Sequence, residues 1–126
     1  MDEEWVLISS YSRNEAIADG VLIDITALAS QRGFRLPTAI TATLLGRYLE
    51  PSEKLKDIGQ SFEGRLHDLL YMTFLAAKNS KDSDRVYFEV LFLNESGGYD
   101  KPTIIAHVGP GDDREPVMTI MLPEDD

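Results

Sequence analysis

A helical half followed by a small antiparallel sheet, an α+β domain, is what this sequence predicts, and three observations carry the prediction. As far as Lys78, apolar residues recur mostly at three- and four-residue spacing. From Arg85 onward the pattern changes to short runs rich in aromatic and branched residues, separated by glycine-containing turns. The last run, Val117–Leu122, is apolar on both faces, as suits a strand covered on both sides. The expectation is about four helices packed on a three-stranded antiparallel meander, extended by a short N-terminal strand.

Trp5-Val6-Leu7-Ile8 has strand character. Ser12 and Glu15 have the spacing of a capping box, with Tyr11 and Ala16 placed as a hydrophobic staple, so a helix over Arg13–Ala18 follows and stops at Gly20. Val21–Ile23 reads as a second short strand, and either it or Trp5–Ile8 is expected to pair with the free edge of the terminal strand. Asp24 can cap a helix to about Gln31, with Ile25, Leu28 and Ala29 inward and Gly33 as stop. Pro37 suits a first helical turn, and Ile40, Leu44 and Tyr48 lie at i, i+4 and i+8 of a third helix that Pro51 breaks.

Residues 52–60 are polar and predict a surface connection with a short helical turn. Ser61 can cap the longest helix, Phe62 to about Lys78. Phe62, Leu66, Leu69, Leu70 and Phe74 mark one face. Tyr71, Met72, Leu75, Ala76 and Ala77 make the second half apolar nearly all round, which predicts central burial. Arg85–Leu93, Thr103–Val108 and Val117–Leu122 are the meander strands, joined by a hairpin over Asn94–Asp100 and a turn at Gly109-Pro110-Gly111. No internal repeat or linker divides the 126 residues, so a single domain over 1–126 is expected.

The chain carries a formal charge of −10, with net −7 in residues 81–126 alone. A surface of that sign repels phosphate backbones and anionic bilayers, so neither nucleic acid nor membrane is an expected partner. There is no cysteine, hence no disulfide or thiolate chemistry. The start Met1-Asp2-Glu3-Glu4 lacks the basic-then-apolar form of a secretory signal, and a cytoplasmic protein is expected.

No phosphate-loop, dinucleotide, zinc-protease or nucleophile-elbow motif is present, and no cofactor, metal or catalytic residue is assigned. A zinc site would require His67 and His107 to converge with a carboxylate. Asp112, Asp113 and Glu115, with Glu124, Asp125 and Asp126, bracket the last strand, and their spacing matches no EF-hand loop. Arg65 and Asp68, three apart, can pair on the helix surface, Arg13 can reach a carboxylate such as Asp19, and Asp24 is explained as a cap.

Several blocks together resemble a domain-of-unknown-function family of small bacterial proteins met on plasmids and integrative mobile elements. They are Tyr11-Ser12-Arg13 with Ala16-Ile17, Asp19-Gly20-Val21-Leu22 and Asp24; Gly33-Phe34 with Pro37 and Thr41; Gly64-Arg65-Leu66 with Asp68 and Leu75-Ala76-Ala77; and Gly109-Pro110-Gly111-Asp112 with Glu115-Pro116-Val117 and Thr119–Pro123. The resemblance implies an accessory gene of mobile DNA and brings no catalytic residues with it.

The expected function is a non-enzymatic interaction protein that binds another protein, a basic nucleic-acid-handling or host-defence protein suiting its charge. Its candidate surface is Asp100, Asp112, Asp113, Glu115, Glu124, Asp125 and Asp126. Two rivals stand beside it. One is a small hydrolase or nuclease using clustered carboxylates or a divalent ion. The other is a structural homodimer, which exposed Trp5, Tyr48 or Phe92 would favour.

Overall fold

The computed structural model describes residues 12–80 and 83–126. Its frame is a five-stranded mixed sheet in the order β1 (Leu22–Asp24), β2 (Thr38–Thr41), β7 (Pro116–Met121), β6 (Thr103–Pro110), β3 (Arg85–Glu89). β2 runs parallel to β7, while the other neighbours are antiparallel. Two further strands, β4 (Phe92–Leu93) and β5 (Tyr99–Asp100), form a separate ribbon. The helices are α1 (Arg13–Ala18), α2 (Thr26–Ser30), α3 (Ala42–Leu44), α4 (Glu53–Asp57) and α5 (Phe62–Lys78). α3 runs on into a π-helical turn, Leu45–Leu49.

The register places side chains in rows across the pleat, alternate residues of each strand facing opposite ways. Ile23, Ile40, Ile120, Ala106 and Val86 form one such row, and all five belong to or pack against the main core. Leu66, Leu69 and Leu70 of α5 and Leu44 and Leu49 from the third helix join them in the same cluster. Each fully buried leucine there contributes roughly 1.5–3 kcal/mol. The opposite face carries the row Asp24, Ala39, Thr119, His107 and Arg85, and α1 reaches it through Arg13, which bonds to Thr119.

The expected helical N-terminal half is overturned. Among the described residues only α5 and the α3–π run exceed six residues, and residues 22–24 and 38–41 enter the sheet as strands. Thr38-Ala39-Ile40-Thr41 forms a strand because β1 and β7 pair with its two edges, and all four of its residues are buried. Two of its four residues are threonine and one is isoleucine, all branched at Cβ. Thr41 then ends the strand and caps α3, its hydroxyl accepting from the Leu44 N–H at 3.2 Å. The helical stripe expected to begin at Ile40 therefore begins two residues later.

The free edge of β7 is taken by β2, not by Val21–Ile23, which pairs one strand further out. Trp5–Ile8 lies outside the described residues. The expected strand Arg85–Leu93 breaks after Glu89, where Phe92 turns into the core against Tyr48 and Arg65. The turn after β6 is also displaced: Gly109 and Pro110 still pair with Val117 and Pro116, and the reversal itself is Gly111–Arg114.

α5 matches its expected span, and Ser61 Oγ accepts from the Gly64 N–H at 3.0 Å as its cap. It is not buried all round, however. Thr73 lies inside, its hydroxyl donating to the Leu69 carbonyl, while Tyr71 and Phe74 remain exposed.

Candidate functional site

β6 and β7 are joined by a tight loop whose local chemistry is specific. The Gly111 N–H donates to the Glu115 carbonyl at 2.6 Å and the Arg114 N–H to the Gly111 carbonyl at 3.1 Å. Arg114 closes the turn at φ 67°, a left-handed conformation that costs a residue with a Cβ roughly 1–2 kcal/mol. Glu115 folds back over Gly111 so closely that a Cβ there would sit 1.6 Å from Glu115 Oε1 and 2.9 Å from Val117 Cγ1.

This loop grips α1. One Asp112 carboxylate oxygen accepts from the Arg13 N–H at 2.7 Å and the other from the Asn14 N–H at 3.0 Å, satisfying two donors that a helix leaves open at its start. Ser12 Oγ accepts from the Glu15 N–H at 3.0 Å. The Arg13 guanidinium turns the other way, donating to Thr119 Oγ1 and to the Met118 carbonyl, both at 2.8 Å. Burial pushes its pKa below the ordinary arginine value, opposed by the nearby charges of Asp24, Asp112 and Glu115.

Asp24, at the end of β1, accepts from the Thr26 hydroxyl at 2.6 Å and from the Thr26 N–H at 2.9 Å. These two bonds, the hydroxyl first, hold its carboxyl below the usual 3.8, with a smaller contribution from Arg13. Asp24 is thus tied to the first residue of α2, but the N-cap position is Ile25, which makes no side-chain capping bond, so Asp24 is not the helix cap its sequence position suggests.

Between these elements lies a cleft of about 220 Å³. Asp24, Asp112, Asp113 and Glu115 line it around Arg13, with apolar wall from Ile17, Pro37 and Val117. Neither the Asp113 nor the Glu115 carboxylate has a hydrogen-bond or ion-pair partner among the described residues. Among the described residues, four carboxylates against one guanidinium leave the cleft net negative, so a cationic group is what it can accept.

The remaining acids of the expected surface are engaged elsewhere. Glu124 pairs with Arg47 at 2.6 Å, and Asp126 with Arg85 at 2.5 Å. Asp125 accepts from Thr41 Oγ1 at 2.8 Å and from the Leu122 N–H at 3.0 Å. Asp100 lies on β5 and accepts from Asn94 Nδ2 at 3.2 Å. The structure therefore does not assemble the seven carboxylates into one surface. It gathers Asp112, Asp113 and Glu115 at the start of β7 and leaves the tail at the other end of that strand.

Arg13 and Asp24 enter the site although the sequence explained them as structural, and Arg13 finds its side-chain partners on β7 rather than on its own helix. No short-range pattern links Arg13 to Thr119, which are 106 positions apart. Arg65, expected on the surface beside Asp68, is 6% exposed and donates to the carbonyls of Tyr48 and Leu93, both at 2.7 Å, and to Gln60 Oε1. Its burial lowers its pKa. His67 lies on α5 and His107 on the opposite face of the sheet, and among the described residues no three His, Asp or Glu side chains group as a metal site. Of the aromatics that would favour a homodimer, Phe92 is buried, Tyr48 is half-buried and stacked on it at 5.5 Å, and Trp5 is outside the described residues.

Fold and site define a small mixed-sheet α+β protein with an acidic cleft at one end of its central strands. The chain belongs to DUF6573, a family of unknown function whose model matches residues 3–126. Neither a curated protein nor a solved structure matches it. No helix among the described residues is long and apolar enough to cross a membrane.

Proposed function

We propose that this is a non-enzymatic interaction protein of the bacterial cytoplasm, an accessory product of mobile DNA that docks on a basic nucleic-acid-handling or host-defence protein and blocks it. The acidic cleft is its contact point. One observation supports the reading: among the described residues the cleft's carboxylates outnumber its one guanidinium, and that guanidinium hydrogen-bonds to β7, not to them. A lysine or arginine side chain of the partner supplies the missing charge, and the apolar walls strengthen that attraction by excluding water. The mobile-element setting rests on the resemblance of the residue blocks described above.

Affinity purification from the bacterium that carries the gene, with mass spectrometry of the eluate, tests this. The expected result is a basic protein that is released as salt rises from about 0.05 to about 0.5 M, where screening shortens the reach of charge several-fold. The double variant Asp113→Lys, Glu115→Lys should not recover it. A partner held equally by that variant, or indifferent to salt, would overturn the reading.

A further inference from the structure

A second surface lies on α5. Asp68, Tyr71 and Met72 stand at i, i+3 and i+4 on one stripe of the helix, facing Val90 and Leu91 in the connection between β3 and β4. The groove between them holds about 530 Å³, within the usual range of ligand and peptide pockets. Tyr71 is 58% exposed and Leu91 55%, although each is large and apolar. Its rim is charged unequally. Glu89 is compensated by Lys101 at 3.4 Å, whereas Asp68 has no ion-pair partner among the described residues. The cation nearest to Asp68 in helical spacing, Arg65, is committed to backbone carbonyls in the interior.

We propose that this groove takes a short amphipathic segment of a partner protein, one large apolar side chain seated between Tyr71 and Leu91 and a following lysine or arginine on Asp68. Charge complementarity selects the occupant. An uncompensated acid beside an apolar floor favours a basic–apolar ligand, and a second copy of a chain with net charge −10 is repelled. Met72 supplies an adaptable wall, as at other surfaces that accept varied apolar groups. The inference shares with the proposed function only the premise of a basic protein partner, and it concerns a different site.

The test uses the full chain and a fluorescein-labelled helical peptide of leucine and lysine with its leucines on one face, followed by fluorescence anisotropy at low salt. Saturable binding is expected. Leu91→Asp should weaken it about tenfold by removing an apolar contact, and Asp68→Lys about fivefold by reversing the rim charge. Both positions are exposed, and an unchanged melting temperature certifies the fold. The cleft variant Asp113→Asn, Glu115→Gln removes any lysine contact made at the cleft and should keep saturable binding that Leu91→Asp still weakens, because the groove is lined by other residues. Equal binding of a leucine–glutamate peptide, or no binding, would overturn the groove. Binding lost with the cleft variant and kept with Leu91→Asp would also overturn it, leaving the cleft reading standing. A dimer in sedimentation equilibrium that Leu91→Asp dissociates would assign the groove to a second copy and overturn the proposal as well.

Discussion

Arg65 shows how far a single residue's role depends on its surroundings. No carboxylate hydrogen-bonds to it, Asp100 acting only through its charge; three neutral oxygens receive it, and its guanidinium lies 5.6 Å from the centre of the Phe92 ring. The planar fork lets it bridge the end of the π-helical turn and β4 at once. Arg65→Ala leaves two carbonyls without their donor and is expected to cost roughly 2–4 kcal/mol in urea denaturation. Arg65→Lys should recover little of that, because one ammonium cannot reproduce the fork. Asp24 carries the pH dependence at this scale. Its folded pKa is depressed by the Thr26 bonds, so its contribution to stability is present above its unfolded value near 3.8 and is lost as pH falls through the lower folded value. Asp24→Asn should therefore flatten the decline in melting temperature below about pH 4, leaving a smaller acid sensitivity than the wild type shows.

The elements around the cleft are held by local geometry that substitutions can probe directly. In the β6–β7 loop, Arg114 occupies a left-handed position and Gly111 a place without room for a Cβ. Arg114→Gly should stabilise the protein by up to about 1 kcal/mol, relief of strain exceeding the added freedom of the unfolded chain. Gly111→Ala should destabilise it by about 1–3 kcal/mol, since Glu115 and Val117 must both give way. Thermal melts of the two variants check both signs. Outcomes of the same sign would mean that the loop is not held as described. The loop was legible in part: its glycines and acids mark a turn, but they do not say that Gly109 and Pro110 stay in the ladder. That depends on their partners Val117 and Pro116 across the strand pair.

At the scale of the whole molecule, β7 joins the two halves, with β2 from the N-terminal half on one side and β6 on the other. A chain ending after Gly111 loses this strand and is expected to be unfolded by circular dichroism, since Met118, Ile120 and Leu122 belong to the main core. A chain ending after Pro123 should remain folded. It loses the Arg47–Glu124 and Arg85–Asp126 pairs and the Asp125 contacts to Thr41 and Leu122, so its melting temperature should fall modestly. Exposed pairs of this kind contribute little. A tail-deleted protein with full stability would show that these bonds contribute nothing and return the tail to the list of candidate contacts.

Much of the local order could be read from the chain. Ser12 and Ser61 cap the helices that follow them, α5 spans its periodic run, and Val117–Leu122 is buried because no polar residue but Thr119 interrupts it. These features depend on neighbours a few positions away, where capping, periodicity and turn chemistry act. What only the tertiary structure decided involves partners far apart in sequence. Thr38–Thr41 became a strand because two others enclose it, Arg65 turned inward because distant carbonyls receive it, and Arg13 and Asp24 met Asp112, Asp113 and Glu115 because the parallel pairing of β2 with β7 brings residues some eighty positions apart into register. Short-range pattern carries no record of such pairings, since backbone hydrogen bonds between strands are blind to side-chain identity.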